Sequence, residues 1–287
     1  MSSVCRVLGV ARSNVHGRAH RAGAWVDRRK GRQPRADAQL RSELRAVIAP
    51  LATYGYRRAT ALLNRQRRQQ RQANVNHKRV YRVMREAGWL LTRHTGRALD
   101  TRAHEGTIAV AASNRRWCSD GFEIGCDNAE RVRVAFALDC CDREAMSWLS
   151  TTAGIDGDLV RDLMLEAIEQ RFGAGTPDAP IEWLTDNGSP YVARDTRAFA
   201  TGLNLVPRTT AINSPQSNGM AESFVKTFKR DYVAAMDRRD ALTVMRQLPA
   251  AFEHYNNVHP HSALKMLSPR LFRQQQAQLS NSPCTEK

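Results

Sequence analysis

The sequence lacks the long apolar runs and leader features that would place a chain in a membrane. No stretch of the 287 residues approaches the roughly 18 uncharged apolar positions that a transmembrane helix needs. The first ten residues contain neither an apolar run nor a small-residue cleavage signal before Arg12, which excludes a secretory signal. The 42% hydrophobic content is enough for an ordinary buried core. We therefore expect a cytoplasmic globular protein with no membrane contact.

The cysteines lack the spacing of a metal site, because none forms the paired two-residue pattern that is typical of zinc ligands. A chain of this length does not need disulfide bonds for stability. We therefore expect reduced thiols that pack in the core or lie on the surface. The cysteines are Cys5, Cys118, Cys126, Cys140, Cys141 and Cys284.

Acidic residues are scarce in the first hundred positions. Residues 1–100 contain 23 Lys and Arg but only 5 Asp and Glu, a net charge of +18. Residues 101–287 contain 21 basic and 23 acidic residues, a net charge of −2. This asymmetry predicts an N-terminal part that binds a polyanion, joined to a nearly neutral body. A solvated basic surface is the alternative explanation.

The N-terminal third of the chain has helical periodicity interrupted by polar segments. Residues 3–20 have the character of part of a helix-turn-helix, and a basic linker follows at 21–36. Helical spacing of apolar residues then runs over 37–64. A low-complexity Arg/Gln run at 65–72 predicts a frayed helix end or a loop.

A cleaner helix is predicted after this run, from Asn76 as its N-cap to Gly88. Its apolar side consists of Val80, Tyr81 and Met84, with Val83 and Ala87 adjoining. Its other side presents the cations Lys78, Arg79, Arg82 and Arg85. This pattern predicts a recognition helix that contacts DNA. A solvated amphipathic helix would have the same pattern.

Beyond residue 114 the pattern changes to three short strands, a helix, and then alternating strands and helices. That order is typical of an RNase H-like α/β layer. The predicted strands cover 116–124, 131–139, 145–152, 181–185 and 205–207, and the predicted helices cover 156–172, 191–201, 219–235 and 241–258.

These patterns predict an N-terminal all-α, helix-turn-helix-like DNA-binding region followed by an α/β catalytic core. The predicted parts are a partial helix-turn-helix with a basic linker (1–36), a helical DNA-binding domain (37–95), a connector (96–114), the RNase H-like core (115–275) and a C-terminal tail (276–287).

Three acidic residues occupy positions that this architecture would bring together. Asp120 lies in the first strand of the core, and Asp186 follows directly on the apolar strand 181–185. Glu222 lies on a helix that comes after a turn-rich segment containing Asn218. Spacing alone is weak evidence, since chance supplies acid pairs at any separation. The structural context supports the prediction. An apolar strand precedes Asp186, a glycine turn follows it, and a helix carries Glu222.

Three carboxylates without histidine or cysteine partners suit Mg²⁺, which prefers oxygen ligands, and Mn²⁺ can substitute for it. Two divalent ions about 3.5–4 Å apart can activate an attacking hydroxyl and stabilise the leaving oxygen of a phosphodiester. The sequence therefore predicts a two-metal site for phosphodiester chemistry at Asp120, Asp186 and Glu222.

The helix that carries Glu222 also carries Lys226 and Lys229 along one stripe. A carboxylate that holds metal, next to lysines that hold phosphates, suits DNA chemistry. A helix salt bridge between Glu222 and Lys226, without any function, is the alternative.

Three segments resemble the catalytic blocks of DDE transposases and retroviral integrases: Trp117–Asp120 (WCSD), Leu184–Ser189 (LTDNGS) and Ser214–Glu222 (SPQSNGMAE). The OrfB part of insertion-sequence transposases of the IS-three family is the most similar. Further similarity covers Tyr54–Arg58 (YGYRR), Asn76–Arg82 (NHKRVYR) and Tyr255–Leu264 (YNNVHPHSAL). The resemblance extends over nearly the whole chain.

The resemblance implies that Asp120, Asp186 and Glu222 are the catalytic metal-binding triad and that Lys229 contacts DNA. It also implies that this reading frame is joined by translational frameshifting to an upstream frame, OrfA. The active complex would contain more than one subunit, bound to double-stranded terminal repeats and target DNA. Its place would be the cytoplasm, in association with the nucleoid.

Other acids and histidines compete for a metal role. Asp139 ends the second strand, close to the expected position of Asp120, and Asp142 follows it. Asp120 is preferred because it matches the family's first block, which leaves Asp139 as a structural acid near the site. His254, His259 and His261 are expected to pack or cap, because Mg²⁺ disfavours imidazole.

The main hypothesis is an enzyme that cleaves and joins DNA strands at the ends of an insertion sequence. A DNA-binding regulator, or an inactive transposase remnant, is the alternative, because the chain begins within a helix-turn-helix-like segment. The intact acids favour the enzyme. A nuclease of the same fold, which would hydrolyse instead of join, remains open from the sequence.

Overall fold

The computed structural model describes residues 2–7, 9–19, 34–51, 53–92, 110–210 and 219–281. The chain divides into two units, Met1–Ser42 and Glu43–Lys287. Within the described ranges, no helix combines the length and the apolar character needed to cross a membrane.

The first unit begins with two short helices, α1 (Ser2–Val7) and α2 (Arg12–Ala19). Gly9 lies between them with a φ of 60°, a left-handed conformation that glycine adopts without steric cost. The N–H of Val10 donates to the carbonyl of Cys5 over 3.0 Å, which ends α1 in the manner of a Schellman motif. Two short helices separated by a turn agree with the helix-turn-helix character predicted for residues 3–20.

Three further helices form the helical region: α3 (Pro34–Ile48), α4 (Tyr56–Gln69) and α5 (His77–Glu86). Asn76 caps α5, because its side chain accepts a hydrogen bond from the N–H of Lys78. The side chain of Asn64 accepts from the N–H of Val75 and donates to its carbonyl, at 2.7 and 3.0 Å. These paired bonds fix the turn between α4 and α5.

Two details of this region differ from the sequence-based prediction. The Arg/Gln run at 65–72 is helical as far as Gln69, because Arg67 is held to Glu43 of α3 by two hydrogen bonds of 2.8 and 3.1 Å. Tyr81 was expected on the apolar side of α5 but is 40% exposed. Val83 takes its place in the core.

The α/β core contains a five-stranded sheet in the order β3-β2-β1-β4-β5. The strands β1, β2 and β3 form an antiparallel meander, whereas β4 and β5 extend the sheet in parallel from β1. The strands are β1 (Arg116–Gly125), β2 (Arg131–Asp139), β3 (Ala145–Thr151), β4 (Ile181–Thr185) and β5 (Leu205–Thr209). The predicted strand pattern is confirmed.

In the ranges that the structure describes, six helices accompany the sheet: α6 (Gly157–Phe172), α7 (Ser189–Val192), α8 (Arg194–Gly202), α9 (Gly219–Asp231), α10 (Ala241–Asn257) and α11 (Pro269–Asn281). The single helix predicted at 191–201 is two helices that meet at Ala193. The helix predicted at 219–235 ends at Asp231, and a 3-10 turn follows at Val233–Ala235. The last helix was not predicted.

Aromatic side chains fill both faces of the sheet. Trp117 and Trp183 lie on neighbouring strands with their rings 6.4 Å apart, edge to face. On the side covered by α9, Phe224 lies 4.4 Å from Phe136 between ring centroids, and Phe228 lies 5.7 Å from Phe122. Rings of this size dominate core energetics, so they hold α9 firmly against β1 and β2.

The cysteines in the described ranges are free thiols, as expected. Cys5, Cys118 and Cys140 are buried, whereas Cys126 and Cys141 are partly exposed. Cys284 lies outside the described residues.

A buried polar cluster joins the helical region to the α/β core. The hydroxyl of Tyr54, before α4, lies 3.1 Å from Nδ1 of His259, and that of Tyr232 lies 3.3 Å from the same atom. The ring of His261 lies 4.8 Å from that of His259. These contacts agree with the packing role predicted for the histidine segment.

Burial lowers the pKa of His261 to about 3, and the nearby charges of Arg143 and Arg58 contribute to the shift, although Asp231 opposes it. The neutral ring is therefore the folded form, while the ordinary pKa is 6.5. A lowered pKa stabilises the fold above the ordinary value, and that contribution is lost as the pH falls from 6.5 towards 3.

We expect His261→Phe to reduce this acid sensitivity, because phenylalanine keeps a ring beside Tyr255 and cannot take up a proton. The free energy of unfolding should fall less steeply below pH 6.5 in the variant, by up to about 1.4 kcal/mol per pH unit. Urea denaturation between pH 7.5 and 4.5 measures the slope. Identical slopes for both proteins would contradict the assignment.

Candidate active site

The parallel pairing of β1 with β4 brings two of the three predicted acids together. Cys118 is paired with Leu184 in this register. Asp120 and Asp186 each lie two residues farther along, so they reach the same level of the sheet. Neighbouring strands are about 4.8 Å apart, which places the two carboxylates side by side at the carboxyl end of β4.

Both acids line one cavity of about 340 Å³, together with Tyr191 and Arg133. Asp186 is exposed, and its carboxylate accepts a hydrogen bond from the N–H of Gly188 over 2.9 Å. Asp120 is partly buried and accepts from the N–H of Gly121 over 2.8 Å. Local backbone donors therefore orient both carboxylates.

Glu222 reaches this end of the sheet on α9. Phe224 and Phe228 are buried on one side of that helix, which leaves Glu222 on its exposed side with 49% of the side chain accessible. Lys226 approaches Glu222 to 3.9 Å but is itself 81% exposed. An exposed pair of this kind contributes little stability. The predicted salt bridge between Glu222 and Lys226 is thus present, but it is too weak to explain why Glu222 lies at this end of the sheet.

The three acids interact through their charges. Burial raises the pKa of Asp120, and the charges of Asp186 and Glu222 raise it further, against the hydrogen bond from Gly121. In the described part of the chain, no three His, Cys, Asp or Glu side chains stand close enough to hold one ion. The acids therefore face one another as a loose, mutually repelling group.

The predicted DNA-contacting residues lie on two helices. On α5, Lys78 and Arg85 are exposed, while Arg79 and Arg82 are partly buried. On α9, Lys226 and Lys229 are exposed, and Nζ of Lys229 lies 5.7 Å from the centre of the Phe122 ring. Asn218 lies outside the described residues. The cations of α9 accompany Glu222, and those of α5 belong to the helical region.

The competing acid Asp139 has a structural environment. It is fully buried and accepts hydrogen bonds from the N–H groups of Asn114 and Cys141 at 2.7 Å. Arg171 donates to Asp142 over 3.0 and 2.9 Å and lies 4.0 Å from Asp139. These acids neutralise a buried arginine, so they are poorly placed to meet a metal ion or DNA.

Two structural features, one at the site and one at the far end of α9, escaped sequence reasoning. Tyr191 is buried beneath the acids, and its hydroxyl lies 3.0 Å from that of Ser119. Burial raises its pKa, and the charges of Asp120 and Asp186 add to the effect. The second feature is Asp231, which binds Arg58 over 3.0 Å. The sequence offered one indirect signal for Asp231, the YGYRR segment that contains its partner Arg58.

Comparison with family models gives the class of the protein. Residues 110–215 match a model described as Integrase core domain, and residues 205–269 match a second model with the same description. Residues 35–97 match a model described as HTH-like domain. An integrase core with a helix-turn-helix-like region defines a polynucleotidyl transferase of the DDE type that acts on DNA.

Comparison with curated proteins gives the family. The transposase InsD for insertion element IS2A/D/F/H/I/K of Escherichia coli is 51% identical over 288 residues, which cover 100% of this chain and 95% of that protein. The transposase InsD for insertion element IS2-9 of E. coli strain K12 is also 51% identical, with 94% of its length covered. The chain belongs to the family of insertion-element transposases.

Comparison with solved structures gives matches to retroviral proteins. The simian T-cell lymphotropic virus intasome, in complex with the PP2A regulatory subunit B56 gamma, matches with a TM-score of 0.49 and 16% identity, over 88% of this chain and 76% of that one. The catalytic core domain of BIV integrase matches with a TM-score of 0.42 and 15% identity, over 58% of this chain and 98% of that one.

Substitution of the two competing acids should separate their roles. We expect Asp120→Asn to leave the stability unchanged or to raise it, because it removes repulsion from Asp186 and Glu222. Asp139→Asn should lower the free energy of unfolding by about 3 kcal/mol, since a buried charged partner is lost. Urea denaturation measures both variants. A large loss of stability in Asp120→Asn would mark that acid as structural.

Proposed function

We propose that Asp120, Asp186 and Glu222 hold two divalent ions, Mg²⁺ or Mn²⁺, and that the protein cleaves and joins DNA strands at the ends of an insertion element. The observation that carries the proposal is the register of β1 with β4, which sets Asp120 beside Asp186 in one cavity. The charge of Glu222 also raises the pKa of Asp120, so the third acid lies near the first two.

The donor set fits hard cations. Carboxylate oxygens are the ligands that Mg²⁺ prefers, and it retains several waters when bound. A divalent ion would offset the repulsion from Asp186 and Glu222 that contributes to the raised pKa of Asp120. The three acids could then approach one another more closely, which would in turn strengthen the binding of the ion. The histidines of the Tyr255–Leu264 segment are buried or partly buried in packing contacts and would not take part.

Two bound ions would supply an activated hydroxyl and a stabilised leaving oxygen for in-line displacement at phosphorus. Basic side chains of the protein would position the DNA strand. Lys226 and Lys229 extend along the exposed side of α9 from Glu222 and would bind phosphates next to the reacting one. Lys78, Arg79, Arg82 and Arg85 of α5 would contact the duplex away from the acids.

Partners follow from this reaction. The chain would act as the OrfB part of an IS-three element, joined by frameshifting to its upstream OrfA frame. Pairing two ends of an element requires more than one subunit, so we expect a homo-oligomer on double-stranded terminal repeats and target DNA. Such a complex would work in the cytoplasm, at the nucleoid. The described helices include none that could cross a membrane.

The central prediction is that Asp186→Asn abolishes strand transfer while DNA binding stays within about twofold. The substitution removes a charged metal ligand but keeps the side-chain size, and Asp186 is exposed, so the fold should tolerate it. Products are followed with labelled ends of the element in Mg²⁺ or Mn²⁺, with the chain alone and with the upstream frame fused.

Glu182→Gln is the matched control, because Glu182 is an acid on β4, the strand that leads to Asp186, and pairs with Arg116 away from the cavity. We expect this variant to keep strand transfer. Equal activity of wild type and Asp186→Asn would overturn the assignment. Release of hydrolysed strands without joined products would identify a nuclease of the same fold.

A further inference from the structure

A second cavity, of about 590 Å³, lies where the helical region meets the catalytic core. Tyr56, Leu91 and Met266 give it an apolar lining, and Arg57, Arg58 and Arg230 add three guanidinium groups. Its volume is in the range of small-ligand sites. An apolar surface beside several cations suits a ligand with a flat apolar part and negative charge.

One buried carboxylate organises two of the arginines. The side chain of Asp231 is fully buried and accepts hydrogen bonds from Nη1 of Arg58 at 3.0 Å and from Nε and Nη2 of Arg230 at 2.6 Å. Each guanidinium carries five N–H donors, more than Asp231 can accept. Three arginines against one aspartate leave this cavity with a surplus of two positive charges.

The aromatic wall of the cavity is also held in place. The ring of Tyr56 stacks against His77 at 6.5 Å and meets Tyr81 edge to face at 5.1 Å. The guanidinium of Arg57 lies 5.4 Å from the centre of the Tyr56 ring. Aromatic rings interleaved with arginines are the usual surface for unpaired bases, which stack on the ring while the cations bind the backbone.

The cavity lies at the end of a charged track along α9. Lys226, Lys229 and Arg230 follow Glu222 within an arc of about 100° on one side of the helix. Arg230 is eight residues after Glu222, about 12 Å along the axis. That distance corresponds to roughly three or four base steps of one strand. A strand bound along this track past Glu222 would reach the cavity.

We propose that this cavity binds one unpaired nucleotide of the DNA strand that passes the acids, with its base on Tyr56 and its phosphate on Arg57, Arg58 and Arg230. The proposal rests on the proposed function, because that function sets the path of the strand past Glu222. The ligand is a nucleotide displaced from the duplex, three or four steps from the reacting phosphate.

Mismatched DNA ends test this, because a base that is already unpaired costs less to displace. Labelled duplexes of one element end, each with a single mismatch at one of the eight positions nearest the cleavage site, are compared with the paired duplex by fluorescence anisotropy. Metal is removed with EDTA, so that binding is measured without chemistry. The measured affinities therefore do not depend on whether the three acids bind metal.

We expect the wild-type chain to bind the mismatch at the third or fourth position roughly tenfold more tightly than the paired end. Tyr56→Leu and Arg230→Gln should reduce this ratio to about one. Tyr56→Phe keeps the ring and should keep the ratio. Arg246→Gln is the charge control, because Arg246 is exposed on α10 and does not line the cavity.

Two results would overturn the proposal. Equal affinity for every duplex, including no measurable binding, would mean that no nucleotide enters the cavity. A mismatch preference that survives in Tyr56→Leu and Arg230→Gln would place the unpaired base elsewhere. Circular dichroism of each variant separates a lost preference from a lost fold.

Discussion

The proposed chemistry depends first on backbone hydrogen bonds between two strands that are far apart in the chain. Parallel pairing of β1 with β4 sets Cys118 against Leu184, and the side chains of Asp120 and Asp186 follow at one level. A shift of one residue would turn every side chain of a strand to the other face of the sheet. The buried tryptophans Trp117 and Trp183, which are themselves paired in this register, prevent such a shift.

Helix α9 connects this sheet edge with the rest of the molecule. Its buried phenylalanines pack on the aromatic side chains of β1 and β2, and its exposed side carries Glu222 and two lysines. Its last residue, Asp231, binds Arg58 of the helical region. One rigid helix thus joins an acid of the proposed metal site to the region that matches an HTH-like domain.

The acids proposed to bind metal are exposed or partly exposed, whereas the acids that stabilise the fold are buried. Asp139, Asp142 and Glu144 are fully buried around Arg171, and Glu144 also pairs with Arg270 and Arg273. Asp186 and Glu222 are exposed, and Asp120 is partly exposed. A buried charge must be paired to be tolerated, whereas the exposed acids remain free to exchange water for a cation.

The sequence by itself determined the order of strands and helices, the helix caps and the three acid-bearing segments, because periodicity and turn residues are local properties. It also indicated the basic N-terminal part and the packing role of the histidines. Only the tertiary structure decided that Tyr81 faces solvent, that the Arg/Gln run is helical, and that Asp231 holds Arg58 and Arg230 at one cavity. These features depend on contacts between residues far apart in the chain. Such contacts form only when the chain is folded, and a local pattern carries no record of them.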